Sequence, residues 1–170
     1  WFYDSPLYAA DILVAMGATA METSRIRLGL GVAVPSVRIA PALANGLATL
    51  AKLAPGRIDF GLGTGHTARS LFGMPAVKLK EMREYLRIVT ELLAGNTVDY
   101  EFVGAPRKIK LMHPWPNLID TNDPIRWHLS AMGPKSRKLG AELGLGWMNY
   151  MSGTSQAIAD LDDMLEQWVA

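Results

Sequence analysis

His66 is the residue of this chain best placed for proton chemistry. An imidazole titrates near neutrality and can give or take a proton, and His66 directly follows the run GLGTG at 61–65. A histidine that only hydrogen-bonds its own turn reads equally well from the local residues. Gly61, Gly63 and Gly65 make a GxGxG pattern, but the dinucleotide fingerprint needs its next glycine at the position His66 occupies. The run fits better as a turn that lets a flat ring approach the backbone, because glycine carries no Cβ to hold it off. A purely structural turn would use the same glycines. A second junction, SAMGPK at 130–135, joins Ser130 and Gly133 to Pro134 at the start of a helix. Backbone N–H groups there attract an anion, aided by Lys135 and Ser136, and ordinary helix capping explains the residues as well. Asp4, before Ser5 and Pro6, either caps the next helix or reaches a site. His113 falls in a proline-rich loop, and His128 alternates with Trp127 as a packing residue would. The histidines lack metal-ligand spacing, and no GxSxG, HExxH or Cys/His pair supports hydrolase chemistry.

These residues sit where β-prone runs give way to helix-compatible segments: RIRLGLGVAVP (25–35), RIDFGLGTGHT (57–67) and IRWHLSAMGPK (125–135). Three such junctions in series imply a parallel strand–helix array whose loops gather on one face, where α/β proteins bind ligands. The pattern predicts strands near 1–4, 26–34, 57–62, 125–129 and 147–150. Residues 26–34 are apolar almost throughout, as in a strand buried on both faces. Helices are expected at 8–23, 41–53, 78–94, 134–143 and 155–169, the last capped by Ser155. Leu79, Met82, Leu86, Val89 and Leu93 form one stripe of the 78–94 helix. TVDYEF (97–102) and RKIKLM (107–112) alternate with period two and predict a β-hairpin, followed by an irregular loop, HPWPNLIDTNDP (113–124). The order suits part of a (β/α)8 TIM barrel with a hairpin excursion better than a dinucleotide-binding sheet.

Composition narrows the classes. A hydrophobic content of 49% over 170 residues supports a sizeable core. A net charge of +1 without a basic patch argues against a nucleic-acid partner. No apolar run reaches the roughly 20 residues of a membrane span. The absence of cysteine excludes disulfides and fits a cytoplasmic setting. The chain opens within a strand-like run and closes on a helix, which predicts one domain over 1–170, truncated at both ends.

Together the blocks DSP (4–6), TSRIRLGLGVAVPSVRIAPA (23–42), LATLAKLAPGRIDFGLGTG (47–65) and SAMGPKSRKLGAELGLGW (130–147) resemble the bacterial luciferase-like monooxygenase superfamily, over Asp4 to about Met151. That superfamily includes reductases and dehydrogenases dependent on the deazaflavin coenzyme F-420. The resemblance implies a (β/α)8 barrel of which this chain holds strands two to six. It implies a cofactor ring, FMN or coenzyme F-420, against a bulge with a non-proline cis peptide at Gly31-Val32, with Ala33 and Val34 beside it. Thr64, Gly65 and His66, with Arg69, would face the ring edge and the substrate, and Gly63 would line the same site. Ser130, Ala131, Met132, Gly133 and Pro134 would hold the phosphate-bearing tail, and Asp4 would lie near the ring. Some deazaflavin dehydrogenases of the family carry Glu where this chain has His66. The implied activity is hydride transfer with F-420 on a small-molecule substrate, of the methylenetetrahydromethanopterin reductase type. The alternatives are an FMN-dependent monooxygenase and a cofactor-free subunit of the same fold. A homo-oligomer is expected of the full-length protein.

Overall fold

A computed structural model describes residues 1–35, 37–112, 117–149 and 153–169. His113 and Tyr150 lie outside them. Helix α1 spans Ile12–Glu22, followed by strand β1 (Leu28–Ala33), helix α2 (Ala40–Leu53) and strand β2 (Ile58–Leu62). A five-residue helix α3 (His66–Ser70) precedes α4 (Leu79–Leu93). The hairpin β3 (Val98–Tyr100) and β4 (Arg107–Ile109) leads to β5 (Arg126–Ser130), α5 (Pro134–Glu142), β6 (Gly146–Met148) and α6 (Thr154–Val169).

The four long-range strands form one parallel sheet in the order β1-β2-β5-β6. The first residues lie along its β1 edge through a parallel bridge, Phe2 to Leu30, with Phe2 N donating to Gly29 O at 2.8 Å. Sequential winding of parallel strands with helices between them is the α/β arrangement expected from the junctions. The hairpin pairs Val98 with Ile109 and Tyr100 with Arg107 and stands outside that sheet.

Side chains of β1 and β2 divide by period two. Leu28 and Leu30, with Ile58, Phe60 and Leu62, are buried with Leu43, Leu47, Met82 and Val89 of the flanking helices. Phe60 meets Trp127 edge-on at 5.0 Å. The alternate positions, Gly29, Gly31, Gly61 and Gly63, leave the opposite face nearly bare. Trp1 fills the space over Gly29, Met148 that over Gly61, and Val32 that over Gly63; a Cβ on any of these three glycines would fall within 2.7 Å of the filling side chain. The start of β1 is thus buried on both faces, as its apolar run implied. One face is packed by its own leucines and the other is covered by side chains from elsewhere over its glycines; Gly31 and Val32 at the bulge are half-buried.

Boundaries differ from the sequence pattern for local reasons. Helix α1 begins at Ile12 because Asp11 caps it, its Oδ1 accepting from the N–H groups of Leu13 and Val14 at 3.0 and 3.1 Å. Asp4 therefore does not cap this helix. Leu13 packs where a side chain at Gly46 would stand, so α1 approaches α2 closely. Ser155 is inside α6, which starts one residue earlier. His66 opens a short helical turn directly after Gly65, which adopts φ 77°.

Candidate functional site

The parallel strands end together at one side, and a cleft of about 810 Å³ opens there. Its size lies within the roughly 300–1,000 Å³ of small-molecule sites. Four chain segments build it: the end of the first extended run, the β1 bulge, the β2–α3 turn and the β5–α5 junction.

The β1 wall comes from a bulge. Leu30 pairs with Phe60 and Ala33 with Leu62, so Gly31 and Val32 together oppose one residue of β2. The extra residue turns Val32 inward onto Gly63. The peptide between Gly31 and Val32 is cis, at the position the family resemblance implied. Gly31, Val32 and Val34 line the cleft, whereas Ala33 points into the core and is 1% exposed.

The β2–α3 turn is fixed by backbone bonds. Gly63 N donates to Ala33 O at 3.0 Å, and Thr64 O accepts from Val77 N at 2.9 Å. Gly65 lies in the left-handed region, and a Cβ there would come within 2.2 Å of Val34 Cγ1. Only glycine suits that position. Gly63, Thr64, Gly65 and His66 line the cleft. His66 is exposed on its rim, and its imidazole makes no hydrogen bond among the described residues. Arg69 turns away: its guanidinium donates to the carbonyls of Pro75 and Pro35 and braces the turn from behind.

At the β5–α5 junction Ser130, Met132, Gly133 and Pro134 line the cleft with Lys135 and Ser136. Ala131 is fully buried, and its carbonyl accepts from Trp147 Nε1 at 2.7 Å. The start of α5 is capped internally. Ser136 Oγ donates to Gly133 O at 2.8 Å and accepts from Gly133 N at 3.2 Å. Ordinary capping is thus present, and Lys135 is the cationic group of this wall. A Cβ on Gly133 would meet nothing within 4 Å.

Asp4 is 3% exposed and borders the cleft. Arg38 Nε stands 3.5 Å from its Oδ2, and Arg38 Nη2 lies 2.5 Å from Asp11 Oδ2. Burial pushes the Asp4 carboxyl above the usual aspartate range, and the Arg38 charge opposes that shift without cancelling it. Asp11, held directly by Arg38, is shifted down. The Arg38 carbonyl accepts from the buried Tyr85 hydroxyl at 2.9 Å, which ties this charge cluster to α4.

The cleft therefore gathers most residues singled out in the sequence and leaves out Ala33, Arg69 and Ala131, which support it from the core or from behind. His128 is not in it. Its ring packs edge-on to Trp1 at 5.4 Å and covers Gly146, as a packing residue does. Tyr3, Ser5, Thr67, Ala68 and Leu79 line the cleft and were not singled out. The first two flank Asp4, and that adjacency was the available signal. Among the described residues, no three His, Cys, Asp or Glu side chains are grouped to hold a metal ion, and no helix is long and apolar enough to cross a membrane.

The architecture is a parallel α/β sheet with a glycine-lined cleft at its strand ends, the side on which α/β folds place their ligand sites. The chain belongs to the luciferase-like monooxygenase family, whose model matches residues 1–168. It is 33% identical over 149 residues to an F-420-dependent glucose-6-phosphate dehydrogenase of Mycobacterium avium, a match covering 83% of this chain and 43% of that protein. The fold is shared with the coenzyme F-420-dependent tetrahydromethanopterin reductase of Methanopyrus kandleri (TM-score 0.75, 21% identity, 98% of this chain and 52% of that one). It is also shared with the oxygenating constituent of 3,6-diketocamphane monooxygenase from Pseudomonas putida, solved with FMN (TM-score 0.72, 17% identity, 92% and 47%). The chain spans about half the length of the curated relatives it matches.

Proposed function

We propose that the cleft seats the ring of coenzyme F-420 and that the full-length protein transfers hydride between it and a small-molecule substrate. The observation that carries this reading is the pairing of an apolar wall with a polar one. Gly31, Val32, Val34 and Gly63 offer a wall on which a flat ring can lie, and Asp4, Thr64, Ser130 and Lys135 stand around it as partners for hydroxyls and an anionic tail. When bound, a deazaflavin supplies hydride chemistry, whereas FMN in the same seat would add oxygen chemistry. FMN-dependent oxygenation is the second reading, supported by the shared fold of the FMN-bound enzyme.

The residues divide the work by position. Val32, held over Gly63, supports the ring face. Lys135, at the start of α5, neutralises the phosphate of the tail with help from Ser130. His66, on the rim, takes the proton of a substrate hydroxyl on a ring nitrogen as the adjacent C–H hydride departs, and returns it in the reverse direction. Asp4, whose carboxyl is driven toward its neutral form by burial, orients polar atoms at the ring edge. The sheet is then a section of a (β/α)8 barrel, strands two to six, forming one domain with the remainder of the polypeptide. A homo-oligomer in the cytoplasm belongs to the same reading.

Titration of the purified full-length protein with F-420 and with FMN, followed by ring fluorescence, tests it. Saturable binding of F-420 in preference to FMN, with reduction of F-420 by a sugar phosphate or another alcohol, is expected. Preference for FMN with oxygen-dependent turnover would replace it by the second reading, and binding of neither would remove both.

A further inference from the structure

Arg137 is the third residue of α5 after Pro134, and it is only 7% exposed. A buried guanidinium needs compensation, or its desolvation destabilises the fold. Here it comes through the two terminal nitrogens, Nε having no hydrogen-bond partner among the described residues. Its Nη2 lies 2.7 Å from Asp163 Oδ2 and its Nη1 3.5 Å from Asp160 Oδ1, both on α6. Asp163 is held in turn, its Oδ1 accepting from Gln167 Nε2 at 3.1 Å. The same Nη1 donates to the carbonyl of Met132 at 3.1 Å. Met132 and Gly133 line the cleft, so a charge anchored in α6 grips the backbone of the cleft wall.

We propose that Arg137 is a positioning residue: by fixing the Met132 carbonyl it sets the direction of the Gly133–Lys135 backbone that faces the cleft, with Asp160 and Asp163 as its anchor. Docking of α6 has a second support besides these ion pairs. Trp168 already packs on Gly140, and its Nε1 donates to Leu145 O at 3.0 Å. What Arg137 adds is a hydrogen bond to one carbonyl of the junction. The guanidinium suits the task because its planar fork serves a carboxylate and a carbonyl in different directions at once, which an ammonium does not do with fixed geometry. The capping by Ser136 holds Gly133 from the helix side, and Arg137 holds Met132 from behind, so the junction is fixed on both flanks.

The functional part of the inference rests on the reading that this junction faces the phosphate end of a ring cofactor, and the test separates the two. Amide hydrogen exchange is measured on the cofactor-free full-length protein, and dissociation constants are measured for two pairs: FMN with riboflavin, and F-420 with its phosphate-free deazariboflavin. Arg137→Met is expected to raise exchange at Ala131, Gly133 and Ser136. It should weaken the phosphate-bearing member of the pair roughly tenfold more than the phosphate-free member, the size of one lost hydrogen bond to a charged group. Trp168→Phe, which removes one hydrogen bond of α6 but leaves Arg137, Asp160 and Asp163 in place, should lower the melting temperature while moving both readouts far less than Arg137→Met does. Arg137→Lys, which keeps the charge, should shift both readouts in the same direction as Arg137→Met but less, and it decides the matter if the methionine variant does not fold. Unchanged exchange at the junction, or equal weakening of both members of a pair, overturns the proposal. If the wild type binds neither pair, the cofactor reading falls, and the exchange data alone then decide whether Arg137 holds the junction.

Discussion

Replacing Gly65 by alanine probes the turn that carries His66, and the structure gives its magnitude in two parts. The backbone at Gly65 has φ 77°, where an L-residue costs roughly 1–2 kcal/mol. The added Cβ would also stand 2.2 Å from Val34 Cγ1, and forcing a methyl group into a filled space typically costs about 1–3 kcal/mol. The sum is a loss of about 2–5 kcal/mol. Gly56 supplies the control. Its φ is 69°, but a Cβ there would meet nothing within 4 Å, so Gly56→Ala should show the backbone part alone. Urea unfolding of both variants in the full-length protein measures the difference, with the slope checked so that the midpoints can be compared. Trimming Val34 to alanine in the Gly65→Ala background should recover part of the loss, because it removes the clash and leaves the strained φ. Equal destabilisation of the two glycine variants, or no recovery with Val34→Ala, would refute the claim that the turn is packed against Val34.

Gly133→Leu should leave stability unchanged or raise it by about 0.4–1 kcal/mol by restricting the unfolded chain. It should also weaken ring-cofactor binding by about tenfold or more in a fluorescence titration, since the new side chain enters open cleft. Asp4→Asn should change the pH dependence of stability in a defined direction. The folded state holds the Asp4 proton more tightly than the unfolded chain does, so the stability of the wild type relative to the variant should fall as pH rises through the range above 3.8. A relative stability that climbs with pH in unfolding titrations would contradict the burial argument. His66→Asn should lower turnover roughly 10²–10⁴-fold under saturating cofactor and substrate. A rate within a few-fold of wild type would leave His66 as part of the scaffold.

Much of the fold was legible because period and punctuation agreed. The 78–94 stripe became α4 within a residue at each end, and the three glycine-bearing junctions became three corners of one cleft. Where the reading slipped, a tertiary cause is visible. Leu28, Gly29 and Leu30 are all buried, as the apolar run implied, but the cover over the glycine face comes from Trp1 and Met148, distant in sequence, and no local pattern names them. Asp11 rather than Asp4 capped α1, because Asp4 is buried against Arg38 and borders the cleft. Ala33 and Ala131 belong to motifs that enter the cleft, yet the β1 bulge turns the side chain of Ala33 into the core and the alternation from Leu129 does the same to that of Ala131. Arg69 could only be placed once α3 was known to be helical, since its reach to Pro75 and Pro35 depends on that turn.

The glycine face of the sheet separates the central strands from what packs on them. Because β1 and β2 carry glycine there, the layer beneath the cleft is supplied by Trp1 and Met148, which lie on the outermost strand segments and meet at Gly31, the cleft residue above them. Exchanges at those two positions would change the support under Gly31 without altering a residue of either central strand or of the helices behind the sheet. The margins of such a sheet can thus be retuned while its centre is left as it is.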